Sequence, residues 1–165
     1  MKAKFVLPLL AVLSLPAWGQ QVEMKAVKEK IPTYQIGSPE VDPIFFTGRV
    51  YQGAEGYIYP YPLYDVLTEN VVDQEYNVLR LGNEYVNISV LPEIGGRIFS
   101  ATDKTNDYHF FYTQTGAKPA LIGMLGAWLS GGVEWNIPDH HRATTYLPTN
   151  WKMQENTDGS KTIWV

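Results

Sequence analysis

The sequence predicts an all-β fold, a sandwich of short antiparallel strands, and three observations carry that expectation. Strand-like runs recur roughly every ten residues, the spacing of a sandwich. The segments between them hold turn formers, 14 Gly and 11 Pro among 165 residues. No long segment keeps the apolar period of a helix, and in Ala120–Leu129 two glycines interrupt the one candidate run.

Met1–Gly19 stands outside that fold and is laid out as a secretory signal. Lys2 and Lys4 open it, Phe5–Leu15 is apolar but shorter than the roughly 20 residues a membrane span takes, and Ala17-Trp18-Gly19 offers small residues for cleavage before Gln20. Pro8 and Pro16 argue against a buried N-terminal helix. Removing this signal leaves no predicted membrane span and places the mature chain in a bacterial periplasm or outside the cell.

Gln20–Lys30 reads as an extended or loosely ordered lead-in, followed by short strands at Ile31–Ile36 and Ile44–Phe46, so residues 20–56 form an N-terminal segment. Residues 57–165 form the sandwich domain. In GYIYPYPLYD the tyrosines alternate with Pro60 and Pro62, which fits an edge strand because proline cannot donate to a ladder. Tyr76–Leu79 then leads through a Gly82-Asn83 turn to Tyr85–Leu91, where Val86, Ile88 and Val90 alternate with polar residues. The sequon Asn87-Ile88-Ser89 falls on that strand, where burial is expected to block glycosylation. Gly95-Gly96 permits a tight bend before a strand at Ile98–Ala101. The polar turn Asp103–Asp107 precedes a further strand at Tyr108–Tyr112. Trp151–Gln154 and Lys161–Val165 flank Asp158-Gly159, a strong hairpin signal. The chain closes on that strand with no terminating turn, so the gene product is expected to continue past Val165.

Composition narrows the function. With 45% hydrophobic and 18% charged residues the chain is of globular type. It has no cysteine, which excludes disulfides and thiolate chemistry. The formal net charge is −4, a poor match for a phosphate backbone, which calls for clustered Lys and Arg.

One block concentrates chemistry. Between Leu121 and Tyr146, Trp128 and Trp135 bracket Gly131-Gly132, and Glu134, Asn136, Asp139, His140, His141 and Arg142 follow. Indole faces stack on the apolar side of a pyranose, while carboxylate, amide and guanidinium groups pair with its hydroxyls. Imidazole passes protons near neutral pH. The competing reading is an ordinary core with a Glu134–Arg142 ion pair and His140 capping a turn. Metal binding is not expected, since adjacent histidines on a strand face opposite ways and no His-x-His or HExxH spacing occurs. No cofactor is implied.

The stretches LGNEYVNISVLPEIGGRIFSATDK and GMLGAWLSGGVEWNIPDHHRATTYLP resemble a bacterial domain-of-unknown-function family, number 5107, of galactose-mutarotase-like fold. The resemblance covers Tyr57–Val165 and implies the N-terminal part of a β-supersandwich whose concave sheet binds carbohydrate. It also implies a histidine acid, His140 or His141, with Glu134 as a candidate carboxylate and Arg97 on sugar hydroxyls. Members often precede tetratricopeptide-type helical repeats, which this chain lacks. The base of the wider group sits on a late strand that this chain does not reach. Three functions follow: sugar proton transfer of the mutarotase kind, noncatalytic glycan binding through Trp128, Trp135, Asn136 and Arg142, or glycoside cleavage by paired carboxylates such as Glu134 and Asp139.

Overall fold

A computed structural model describes residues 21–40, 62–121, 126–136, 141 and 145–165. The expected signal, the strand at Ile44–Phe46 and the tyrosines 57–61 lie outside these residues. The described chain is all-β, built of antiparallel sheets in a sandwich-like arrangement, and contains no α-helix. Among the described residues no helix is long and apolar enough to cross a membrane.

The main sheet is a meander of five strands in sequence order. They are β1 (Glu23–Ile36), β2 (Leu67–Gly82), β3 (Val86–Leu91), β4 (Arg97–Asp103) and β5 (Tyr108–His109). Two small hairpins follow, β6 (Ala120–Leu121) with β7 (Ala127–Trp128), and β8 (Lys152–Glu155) with β9 (Lys161–Trp164).

The segment read as a lead-in is structurally part of the sheet. β1 runs 14 residues and pairs with the 16-residue β2 from Glu23↔Gly82 to Tyr34↔Val71. Its apolar content is low because only Ile31 and Thr33 of β1 are fully buried. The first nine residues of β2, Leu67–Glu75, are almost wholly exposed, so they show no alternation to announce a strand. Pro32 fits because of where its carbonyl goes. That oxygen accepts from Ala117 N at 2.8 Å, on the side away from β2, so the missing N–H also lies on the edge side. Tyr34 N donates to Ala117 O at 2.9 Å, and Lys118 Nζ stands 4.4 Å from the Tyr34 ring, so this loop covers part of the edge.

The later elements follow the sequence more closely. Asn83 Oδ1 accepts from Tyr85 N and Val86 N at 2.9 and 3.0 Å, which closes the β2–β3 turn. Gly95 and Gly96 take φ of 66° and 62°. The β8–β9 hairpin turns at Gly159, φ 84°. The Tyr108–Tyr112 strand is shorter than expected: two residues pair with Thr102 and Asp103, and Phe110 N adds a last bond to Ala101 O at 2.9 Å.

The core cluster is Ile31, Tyr76, Val78, Leu91, Ile94, Ala117 and Leu129. Phe99 packs against it from a bulge in β4, where Ser100 and Ile98 oppose Ser89 and Val90. Leu79, Val90 and Ala101 are buried on the opposite face of the central strands, so both faces carry apolar cover. Asn87 is exposed on its strand, contrary to the burial expected for the sequon.

Two tyrosines of this core make an alkaline limit. Burial, then the neighbouring phenols Tyr76 and Tyr64, push Tyr146 up to about 12. Burial also raises Tyr76, against the hydrogen bond it shares with Thr33 Oγ1 at 3.0 Å. Both phenols hold their protons more tightly folded than unfolded. Their contribution is complete below the ordinary tyrosine value of 10.0 and is lost as pH rises from there to about 12. The melting temperature is expected to fall across that window, and Tyr146→Phe to flatten the fall. A wild-type melting temperature level up to pH 12 contradicts this account of the core.

Candidate functional site

The site is made by a strap, Ser130–Asn136, laid along the free side of β4. Ile98 N donates to Val133 O at 3.1 Å and Val133 N to Ile98 O at 2.8 Å. Gly132 N donates to Tyr112 O at 3.0 Å, and Gln114 Nε2 to Ser130 Oγ at 2.8 Å. Such close approach requires glycine. At Gly132, φ is 64° and a Cβ would stand 2.1 Å from Ile98 O.

Arg97 fastens the strap from beneath. Its Nη2 donates to Gly131 O at 2.5 Å, and the residue is only 2% exposed. Burial lowers its pKa, and the nearby charge of Glu134 opposes that shift. Nε and Nη1 are buried and have no hydrogen-bond partner among the described residues. The resemblance implied contact with sugar hydroxyls. The guanidinium lies beneath the strap, held to Gly131 O.

Glu134 and Trp135 leave the strap on opposite sides, as neighbouring residues of an extended segment do. Glu134 meets His141, with Oε1 2.5 Å from Nδ1. The two side chains are 11% and 22% exposed, respectively. The Trp128 ring, on β7, lies 5.2 Å from the His141 ring, tilted by 50°. Trp135 goes the other way. Its Nε1 donates to Gly96 O at 2.9 Å, and with Asn136, Thr149, Ile163, Trp164 and Val165 it lines a separate cavity of about 600 Å³.

The structure therefore brings Trp128, Glu134 and His141 together, sets Arg97 under them, and turns Trp135 and Asn136 toward a second surface. His140, Arg142 and Asp139 lie outside the described residues. Among the described residues no group of three His, Cys, Asp or Glu could hold a metal ion.

A carboxylate on Nδ1 fixes the imidazole in one tautomer and leaves Nε2 to accept or give a proton. Such a pair is a single acid–base unit whose carboxylate orients the ring and stabilises the imidazolium. Reading the sequence missed Gln114, Ser130 and Tyr112, which steady the strap. Their contacts are long-range and use plain polar groups, so no local pattern could have found them.

The family model described as a domain of unknown function, DUF5107, matches residues 54–165, more than half of the chain. The chain belongs to the DUF5107 family. This DUF5107 chain is also similar in structure to a TPR-domain containing protein from Parabacteroides distasonis ATCC 8503. The TM-score is 0.67 at 21% identity, over 84% of this chain and 23% of that one. At that identity the likeness concerns the fold alone. The DUF5107 chain spans about a quarter of that protein's length.

The strap's dependence on close approach is measurable in this DUF5107 domain. Gly132→Ala is expected to cost at least about 2–3 kcal/mol, since positive φ and collision with a backbone oxygen add together. Gly159→Ala, where φ is 84° but nothing lies within 4 Å of a Cβ, is expected to cost only about 1 kcal/mol. Urea unfolding midpoints of the two variants check the order, and equal losses contradict the strap geometry.

Proposed function

We propose that this DUF5107 domain binds carbohydrate beside Trp128 and moves a proton on it through the Glu134–His141 pair. The observation that carries the reading is that short Nδ1–Oε1 contact, at 2.5 Å, with an indole 5.2 Å from the same imidazole. The indole offers an apolar face for a pyranose, and the partly exposed ring offers Nε2 for the chemistry. The resemblance of LGNEYVNISVLPEIGGRIFSATDK and GMLGAWLSGGVEWNIPDHHRATTYLP to a galactose-mutarotase-like supersandwich supports the same substrate class.

On this reading Nε2 of neutral His141 takes the proton of the anomeric hydroxyl, and Glu134 stabilises the imidazolium formed. The C1–O5 bond then opens to the aldehyde as the imidazolium gives the proton to the ring oxygen. Reclosure on either face gives both anomers. His140 and Arg142 serve as further sugar contacts in this proposal. We place the protein outside the cytoplasm by way of residues 1–19, with a helical-repeat region following the domain. The likeness to a TPR-domain containing protein supports the presence of such repeats.

A noncatalytic glycan-binding reading is favoured by one observation of its own, the open cavity lined by Trp135 and Trp164. Cleavage by paired carboxylates has less support, because Glu134 is committed to His141.

Polarimetry of freshly dissolved α-D-galactose, with binding followed by NMR, separates the readings. The wild type is expected to speed anomerisation over buffer, and His141→Ala to slow it by about 100-fold or more with affinity kept within about threefold. Trp128→Ala is expected to weaken binding about tenfold. Saturable binding with no rate enhancement supports the binding module instead. No binding of any saccharide overturns both.

A further inference from the structure

We infer a second ligand site on the main sheet, built to hold a small anionic, hydroxyl-bearing molecule such as an acidic sugar. The register assembles it. Lys25 opposes Arg80, Arg80 opposes Ser89, and Ser89 opposes Ser100. In the next row Gly82 opposes Asn87, and Asn87 opposes Thr102. These rows share the face that buries Tyr76, Val78 and Leu91, at its opposite end. Side chains about 5 Å apart across strands and about 7 Å apart along them form a grid of donors.

These residues line a cavity of about 390 Å³. Among the described residues Lys25, Arg80 and Lys104 bring three cations to the lining, against Glu23 within it and Glu29 paired to Arg80 beside it, in a chain whose net charge is −4. The rim is anchored. Arg80 pairs with Glu29 at 2.5 Å, Lys104 Nζ donates to Asn83 O at 2.7 Å, and Thr102 Oγ1 meets His109 Nδ1 at 3.2 Å. The middle is open. Among the described residues the side chains of Lys25, Asn87, Ser89 and Ser100 make no hydrogen bond or ion pair.

An ammonium, an amide and two hydroxyls left unused beside a guanidinium suit a carboxylate or sulfate together with several hydroxyls. Among the described residues no aromatic ring lines the cavity, so a stacked base or a neutral sugar held by its apolar face fits poorly. The site does not rest on the Glu134–His141 reading, and neither proposal entails the other.

The test is an amide-resolved NMR titration of the full chain with D-galacturonate, D-galactose 6-sulfate and D-galactose. Signals of residues 87–89 and 100–102 are expected to move and saturate with at least one anion, about tenfold more tightly than with galactose. Raising the salt from about 50 to about 500 mM is expected to weaken that binding several-fold. Lys25→Glu and Ser100→Asp are each expected to cut affinity at least tenfold with unchanged circular dichroism, while Glu134→Gln leaves it intact. Which anion binds distinguishes carboxylate from sulfate recognition. Equal affinity for galactose, no response at these amides, or indifference to Lys25→Glu overturns the site.

Discussion

Everything at the candidate site depends on two backbone hydrogen bonds, exchanged between Ile98 of β4 and Val133 of the strap. They fix the register in which Glu134 and Trp135 leave the chain. Gly131 and Gly132 let the backbone arrive there, with φ of 86° and 64°. A slip of one residue would exchange the two side chains between the His141 side and the Trp164 side. The chemistry of the site is thus set by main-chain geometry before any side chain acts.

Arg97 raises the stakes of that arrangement. A guanidinium has five N–H donors, and burying them without partners is costly. Here one nitrogen holds Gly131 O, and two others lie buried without partners among the described residues. The charge of Glu134 acts against the effect of burial on Arg97 but does not cancel it. Carboxylate, guanidinium and imidazole therefore form one electrostatic unit, and altering any of them disturbs the other two.

How much of this was legible depended on whether a signal was local. The β2–β3 turn at Asn83, the bend at Gly95-Gly96 and the hairpin at Gly159 are encoded by the residues that form them. The long pairing of β1 with β2 is not. Its strands are polar because much of each faces solvent, and their register is set across the 30 residues, 37–66, that separate them. At the site, the block from Trp128 to His141 was visible as a concentration of chemical groups, and Glu134, His141 and Trp128 do meet. The separation of Trp135 from them follows from strand alternation, which could have been applied to Val133–Trp135. Arg97 was visible as a charged residue after two glycines, but its burial depends on the strap crossing above it. The polar grid of Lys25, Arg80, Ser89 and Ser100 was invisible for the same reason, since it exists only once four strands are in register.

The central claim is that Glu134 holds His141 as one fixed acid–base unit. Nitrogen NMR of the His141 ring tests this most directly. At a pH where the ring is neutral, the account expects the proton on Nδ1, hydrogen-bonded to Glu134, and a tautomer population that shifts toward Nε2–H in Glu134→Gln. A His141 ring already in the Nε2–H form, or a tautomer ratio indifferent to Glu134→Gln, would contradict it.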